Sequence, residues 1–199
     1  MASPEITDDM RARARSRPGA RLYVTDSEFD ARGEVPPWGI RGAFETDPTT
    51  GTIGNWVANP NYRPGPKMRG WPDPTNAVER ALELAASGYG PGTGIAAALA
   101  TASAHVVVVT DHAAPDQLPV STDTNGRRAL YAYTSPHRVP PHVTAPRVTI
   151  AMRSLAKLLD QPDMHLALNT DSAPGIVLSG RDLLTAMITA RRREINEGA

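Results

Sequence analysis

The run His105, Val106, Val107, Val108, Val109, Thr110 constrains this chain more than any other segment. Successive β-branched side chains have little χ1 freedom and crowd a helix, so a central strand is predicted over residues 105–110. Two more strands follow at 120–122 and 129–134. They are joined around Thr124, Asn125 and Gly126, because an Asn-Gly pair supplies the positive backbone angles of a tight hairpin turn. Residues 149–160 place Met152, Leu155, Leu158 and Leu159 at helical spacing and read as an amphipathic helix. A strand at 164–169, a turn at Pro174 and Gly175, and a further extended run at 176–178 come next. Ser179 and Asp182 fit a capping box for a last helix, whose apolar stripe is Leu183, Leu184, Met187, Ile188 and Ile195. Arg191, Arg192 and Arg193 sit near its C-terminal end, where cations are favoured. With a short alanine-rich helix over 95–102 in front, the second half is a mixed α/β layer of helices packed on a sheet.

The first half obeys different rules. The chain has 19 prolines and 16 glycines, which predicts turns and extended loops over much of it. Residues 6–17 form a short helix, with Thr7 as cap and Asp8 and Asp9 opposing the positive helix end. Arg11, Arg13, Arg15 and Arg17 alternate along it without making one helical face, and Pro18 with Gly19 stops it. A strand over 21–25 follows. Two further strands over 39–45 and 52–57 flank the Asp-Pro-Thr-Thr-Gly loop at 47–51 and make a hairpin. Trp38, Ile40, Phe44, Ile53 and Trp56 supply its apolar face. Residues 59–66 hold three prolines and cannot continue a central strand, so they wrap over that small sheet. Asp73 and Pro74 suit a helix start, and Val78, Leu82 and Ala85 a buried stripe. The glycine-rich run at 88–94 ends that helix and separates a small α+β region over 1–90 from an α/β domain over 91–199. The fold class is α+β.

Composition excludes several functions. Lys plus Arg and Asp plus Glu both number 21, a balance that argues against a protein whose main business is gripping nucleic acid, although it leaves room for a local charged patch. Cysteine is absent, which removes disulfides, thiolate metal sites and a cysteine nucleophile. No apolar segment approaches the roughly 20 residues that cross a bilayer, and the first residues lack a signal-type apolar core. The expectation is a cytoplasmic protein without membrane insertion.

The candidate chemistry is thin. His105, His112, His137, His142 and His165 are scattered, and no HExxH pattern occurs. An enzyme reading rests on them and on Asp111, Asp123 and Asp171. Ser135, Pro136 and His137 lack a GxSxG elbow and read as a strand end and turn. The run at 88–94 lacks a P-loop lysine, follows a helix, and contains Pro91, so it reads as a linker. No cofactor or metal is expected. The more attractive surface is Trp38, Trp56, Tyr62 and Trp71 with Arg41, Arg63 and Arg69, because tryptophan, tyrosine and arginine anchor interfaces. Tyr131, Tyr133 and Arg138 form a second candidate, and alternation puts the two tyrosines on one side of their strand. For Trp38 and Trp56 the competing reading is burial of the small sheet. The candidate role is binding another protein.

One resemblance adds to this. Leu118, Pro119, Val120, Ser121 and Thr122, then Asn125 and Gly126, then residues 131–136 (Tyr-Ala-Tyr-Thr-Ser-Pro) resemble the SseB protein N-terminal domain pattern. Asn169, the Ala173, Pro174, Gly175 turn and the Leu183, Leu184 pair resemble its later strand, turn and closing helix. The chain carries Tyr133 where phenylalanine is usual, His137 where an acidic residue is common, and Thr170 and Asp171 where a proline-glycine pair often sits. Residues 6–10, Leu22 to Val24, the Val35, Pro36, Pro37, Trp38, Gly39 run, residues 59–64 and residues 79–82 resemble actinobacterial type VII secretion system-associated proteins. These resemblances imply an SseB-like α/β domain and do not themselves imply established catalytic residues. They imply a protein partner: a type VII secretion component, a secreted substrate, or a secreted toxin to which the chain is an immunity protein. A small-ligand-binding protein or an enzyme stays as the alternative.

Overall fold

The computed structural model describes residues 3–30, 33–101, 103–114, 117–122 and 126–197. Two compact units divide the chain, residues 1–70 and 71–199. The division lies ahead of the glycine run at 88–94, because the helix before that run packs into the second unit's core through Val78 and Leu82.

The first unit starts with α1 (Asp8–Ser16), capped by the Thr7 side chain, which accepts from the Met10 N–H. Its one buried residue is Ala14. A three-stranded antiparallel sheet follows, with β1 (Leu22–Thr25), β2 (Ile40–Thr46) and β3 (Ile53–Ala58) in sequence order. The hairpin between β2 and β3 closes on Asp47, whose side chain accepts from Thr49 N–H and Thr50 N–H. Those donors hold its carboxyl below the usual carboxylate range. Phe44 is buried at the sheet centre, and Trp56 lies across from it with ring centroids 4.9 Å apart.

The second unit begins with α2 (Ala77–Ser87) and α3 (Thr93–Ala100). The start of α2 differs from the expected Asp73 and Pro74. Asn76 is the cap, accepting from the Glu79 N–H, while the Glu79 carboxylate takes the Thr75 N–H in return. Those two bonds satisfy the Glu79 and Thr75 N–H groups at the helix entry. Gly88 ends the helix at φ 77, a left-handed angle that a side chain resists.

Strands β4 (His105–Val109), β5 (Val120–Thr122) and β6 (Arg128–Ala132) stand where the sequence places them. The turn at Thr124 and Asn125 lies outside the described residues. A correction comes at 149–160. The chain runs as β7 (Arg147–Ala151), paired antiparallel with β4, then one 3-10 turn at Met152–Leu155 and the short α4 (Ala156–Leu159). Val148, Thr149 and Ile150 prefer a strand, and the open edge of β4 offers one a partner. Met152, Leu155 and Leu159 are buried nonetheless, so the apolar spacing was sound and the element was not.

β8 (Met164–Leu168) then pairs parallel with β6, and β9 (Ile176–Ser179) antiparallel with β8, giving a four-stranded sheet in the order β5-β6-β8-β9. The last helix is α5 (Gly180–Glu197), opened by the Ser179 hydroxyl oxygen accepting from the Asp182 N–H. Leu183 is buried and Leu184 and Met187 pack on the core, but Ile188 is 55 % exposed and leaves the stripe. The side chain of Ile195 lies outside the described residues. The core gathers α2, α3, β4, β6, β8 and α5 around Leu82, Leu99, Val106, Leu130 and Leu166. The architecture is α+β, with a β-rich first unit and helices packed on sheets in the second. No helix among the described residues is long and apolar enough to cross a membrane.

Candidate functional site

In the first unit, the proline-rich strap at 59–66 is fixed to the sheet from both sides. The Asn59 side-chain amide donates to the carbonyls of Pro37 (2.8 Å) and Ile40 (2.7 Å), and the Arg63 N–H donates to the Trp38 carbonyl (2.9 Å). Beneath the strap, Asp26 is fully buried. Its carboxylate accepts from the Tyr62 hydroxyl, the Gly65 N–H and the Glu28 N–H. Burial, then the hydrogen bond to Asp26, pushes the Tyr62 phenol well above its ordinary range, so it stays a donor.

This clamp shapes a shallow cavity of about 500 Å³ lined by Pro37, Trp38, Pro60, Asn61, Tyr62 and Arg63. Trp38 meets the Phe29 ring edge-on at 5.5 Å. Gly39 makes that contact available, since a Cβ there would run into the Phe29 ring. Gly39→Ala is therefore expected to displace Phe29 and destabilise the first unit by about 1–3 kcal/mol. Urea unfolding followed by tryptophan fluorescence checks this, and an unchanged midpoint would refute it.

Of the residues proposed from sequence, Trp38, Tyr62 and Arg63 come together in this cavity. Tyr62 is buried rather than displayed; Arg63 is exposed and Trp38 half-buried. Arg41 and Trp56 are half-buried, and their Nε and Nε1 atoms are buried without a hydrogen-bond partner. Arg69 folds its Nε onto the Pro64 carbonyl at 2.9 Å. Trp71 is half-buried at the start of the second unit. Tyr131 is 38 % exposed on β6. Tyr133 donates to the Asp171 carboxylate at 2.7 Å, and burial together with that bond pushes its phenol up to about 12.

Arg138 is a correction, being 6 % exposed and locked inside the second unit. Its guanidinium reaches Glu83 at 3.2 Å and Glu79 at 3.4 Å and donates to the carbonyls of Ala173 and Pro72. It shares one positive charge between two buried carboxylates of α2, and its guanidinium is engaged inside the unit.

That buried network was missed from sequence. Thr134 Oγ1 lies 3.1 Å from the Glu79 carboxylate and takes an amide hydrogen of Asn169 at 2.9 Å, while the Thr134 N–H donates to the Asn169 side-chain oxygen. The Asn76 amide donates to the Thr134 carbonyl. Burial alone would raise the Glu79 carboxyl. The neighbouring Ser135 hydroxyl, the Thr75 N–H and Arg138 outweigh it and hold the group below its ordinary value. Ser135 Oγ itself meets no partner at ordinary hydrogen-bond geometry. Glu83 goes the other way, with burial dominant over Arg138 and Arg80, and one of its oxygens has no partner. One signal was legible: Glu79 and Glu83 are four residues apart beside Val78 and Leu82, so they share the buried face.

The histidines stay apart from this network's hydrogen bonds. His105, His112, His137 and His142 are exposed, and the rings of His105 and His165 hydrogen-bond the carbonyls of Ser103 and Asp163. Asp111 caps a turn through the Ala113 N–H, and Asp123 lies outside the described residues. Among the described residues, no group of three His, Asp or Glu side chains is arranged to hold a metal ion.

Comparison with known proteins places this second unit. The family described as SseB protein N-terminal domain matches residues 78–184, just over half of the chain. The matched stretch holds Glu79, Glu83, Thr134, Arg138 and Asn169, while the Trp38 and Arg63 cavity precedes it. No curated protein and no solved structure matches the chain significantly.

Proposed function

Since the chain belongs to the SseB protein N-terminal domain family, we propose that it is an accessory protein that works by binding another protein and catalyses no reaction. The observation that carries this reading is the first-unit cavity, where Trp38 and Arg63 stand between exposed Pro37, Pro60 and Asn61 on a strap clamped by Asp26. Rigid aromatic area beside a directed donor gives affinity at low entropic cost. Trp56, Arg41 and Arg69 flank it in sequence, and Trp71, Tyr131 and Tyr133 are the second unit's contribution to recognition. Tyr62 and Arg138 support these surfaces from inside.

The partner in this proposal is a type VII secretion component or a substrate that the chain delivers, in the cytoplasm of an actinobacterium. The second reading is immunity, in which the same surface covers a secreted toxin. Deletion and co-expression separate them. Loss of export without toxicity is the accessory outcome, and rescue of cells from the toxin the immunity outcome. A deletion strain with unchanged export and no toxin sensitivity would contradict both.

A further inference from the structure

A second concave surface of the first unit is basic. A cavity of about 320 Å³ lies at the C-terminal end of α1, lined by Arg13, Ser16, Arg17, Arg21 and Leu22 among others. Arg13 and Arg17 are one helical turn apart. The chain then reverses, with the Ala20 N–H donating to the Arg17 carbonyl (3.2 Å) and the Gly19 N–H to the Asp47 carbonyl (3.2 Å), and delivers Arg21 to the same hollow. The Thr46 hydroxyl ties the turn to the sheet through the Ala20 carbonyl at 2.7 Å. The backbone carrying all three arginines is thus fixed.

None of the three makes an ion pair among the described residues, and no acidic side chain lines the cavity. Arg11, by contrast, is paired with Asp8. Asp47, joined to this turn through its backbone, turns its Oδ1 onto Thr49 and Thr50 and makes no ion pair with the three arginines among the described residues. Three like charges held together without counter-charge repel one another, and an anionic occupant relieves that.

We propose that Arg13, Arg17 and Arg21 form a docking site for an acidic, carboxylate-bearing segment of a partner protein. The inference rests on the protein-binding reading and deepens it. A compact phosphate fits less well. The carbonyl end of α1 disfavours any anion set close against it, so a compact anion on the floor of the hollow has no backbone N–H of α1 to meet and an occupant must be held by the guanidinium groups further out. Long guanidinium arms reach past those carbonyls to carboxylates spaced along a chain, each able to be gripped bidentately.

The test is fluorescence anisotropy of a labelled oligoglutamate peptide titrated with the full chain at low ionic strength. Binding is expected, weakening as salt is added. Arg13→Gln/Arg17→Gln/Arg21→Gln should lose about tenfold in affinity, as three modest ion pairs imply. Arg191→Gln/Arg192→Gln/Arg193→Gln, with the same change in net charge, should lose nothing. Phenylglyoxal labelling of the wild-type chain gives the same answer without a variant, since the peptide should shield Arg13, Arg17 and Arg21 and leave Arg191 reactive. Equal losses in the two triple variants, absence of binding, or shielding elsewhere would overturn the proposal. So would displacement by pyrophosphate far below the concentration of peptide carboxylates. Retention of a native partner by the first triple variant as well as by wild type would sink this inference and leave the protein-binding reading standing. Failure of wild type to retain any partner would sink that reading and this one with it.

Discussion

Arg138→Met is expected to destabilise the second unit by about 3–5 kcal/mol, the cost of removing one partner from a buried charge network. Arg138 is the cation that faces both Glu79 and Glu83, whose side chains are each 1 % exposed. Without it, two carboxyl groups must lose their charge or unfold their surroundings. The pH dependence carries the sign of the argument. Glu79 in the native protein titrates below its ordinary value of 4.5, so its contribution is present above that value and lost as pH falls through the native one. Glu83 titrates above 4.5, so its contribution is full below that value and declines as pH rises through the native one. In Arg138→Met both carboxyls shift upward, and the deficit relative to wild type should be smaller at acidic pH than at neutral pH. Glu83→Gln in the same background should recover part of the loss. Urea unfolding across pH measures all three, and a deficit that shrinks as pH rises would refute the assignment.

Asp26→Ala is the second large effect, expected at roughly 2–5 kcal/mol in the first unit. It strands the buried Tyr62 hydroxyl and the Gly65 N–H, each costing about 1–3 kcal/mol when left unpaired. Tyr62→Phe removes one bond and spares the other, and should cost about 1.5–3 kcal/mol. Hydrogen exchange at residues 59–66 is the direct readout. Protection there should fall in Asp26→Ala while α1 keeps its own. Unchanged protection in the strap would mean that Asp26 does not clamp it.

Local chemistry explains which parts of this fold could be read in advance. The Thr7 cap, the β2–β3 hairpin around Asp47 and the valine strand each depend on neighbours in sequence, and each forms as expected. Residues 149–160 failed because two signals overlap there: Met152, Leu155 and Leu159 keep helical spacing while Val148 to Ile150 answer to the open edge of β4. The α2 start failed because Asn76 caps the Glu79 N–H while the Glu79 carboxylate holds the Thr75 N–H, and this pair of bonds sets the start past Asp73 and Pro74. Residue type picked out Trp38, Tyr62 and Arg63, which line one cavity, and their role in binding is part of the proposal. The internal bonds of Tyr62 and Arg138 were not legible. Their acceptors Asp26 and Glu83 lie 36 and 55 residues away, beyond any local pattern.

The most direct test of the protein-binding account is affinity capture from the native organism with an N-terminal tag, quantified by mass spectrometry. Wild type should be compared with Trp38→Ala/Arg63→Ala, whose fold circular dichroism verifies. The account predicts one protein selectively enriched by wild type and lost with the variant. Equal enrichment by both, or none by either across growth and secretion conditions, would contradict it.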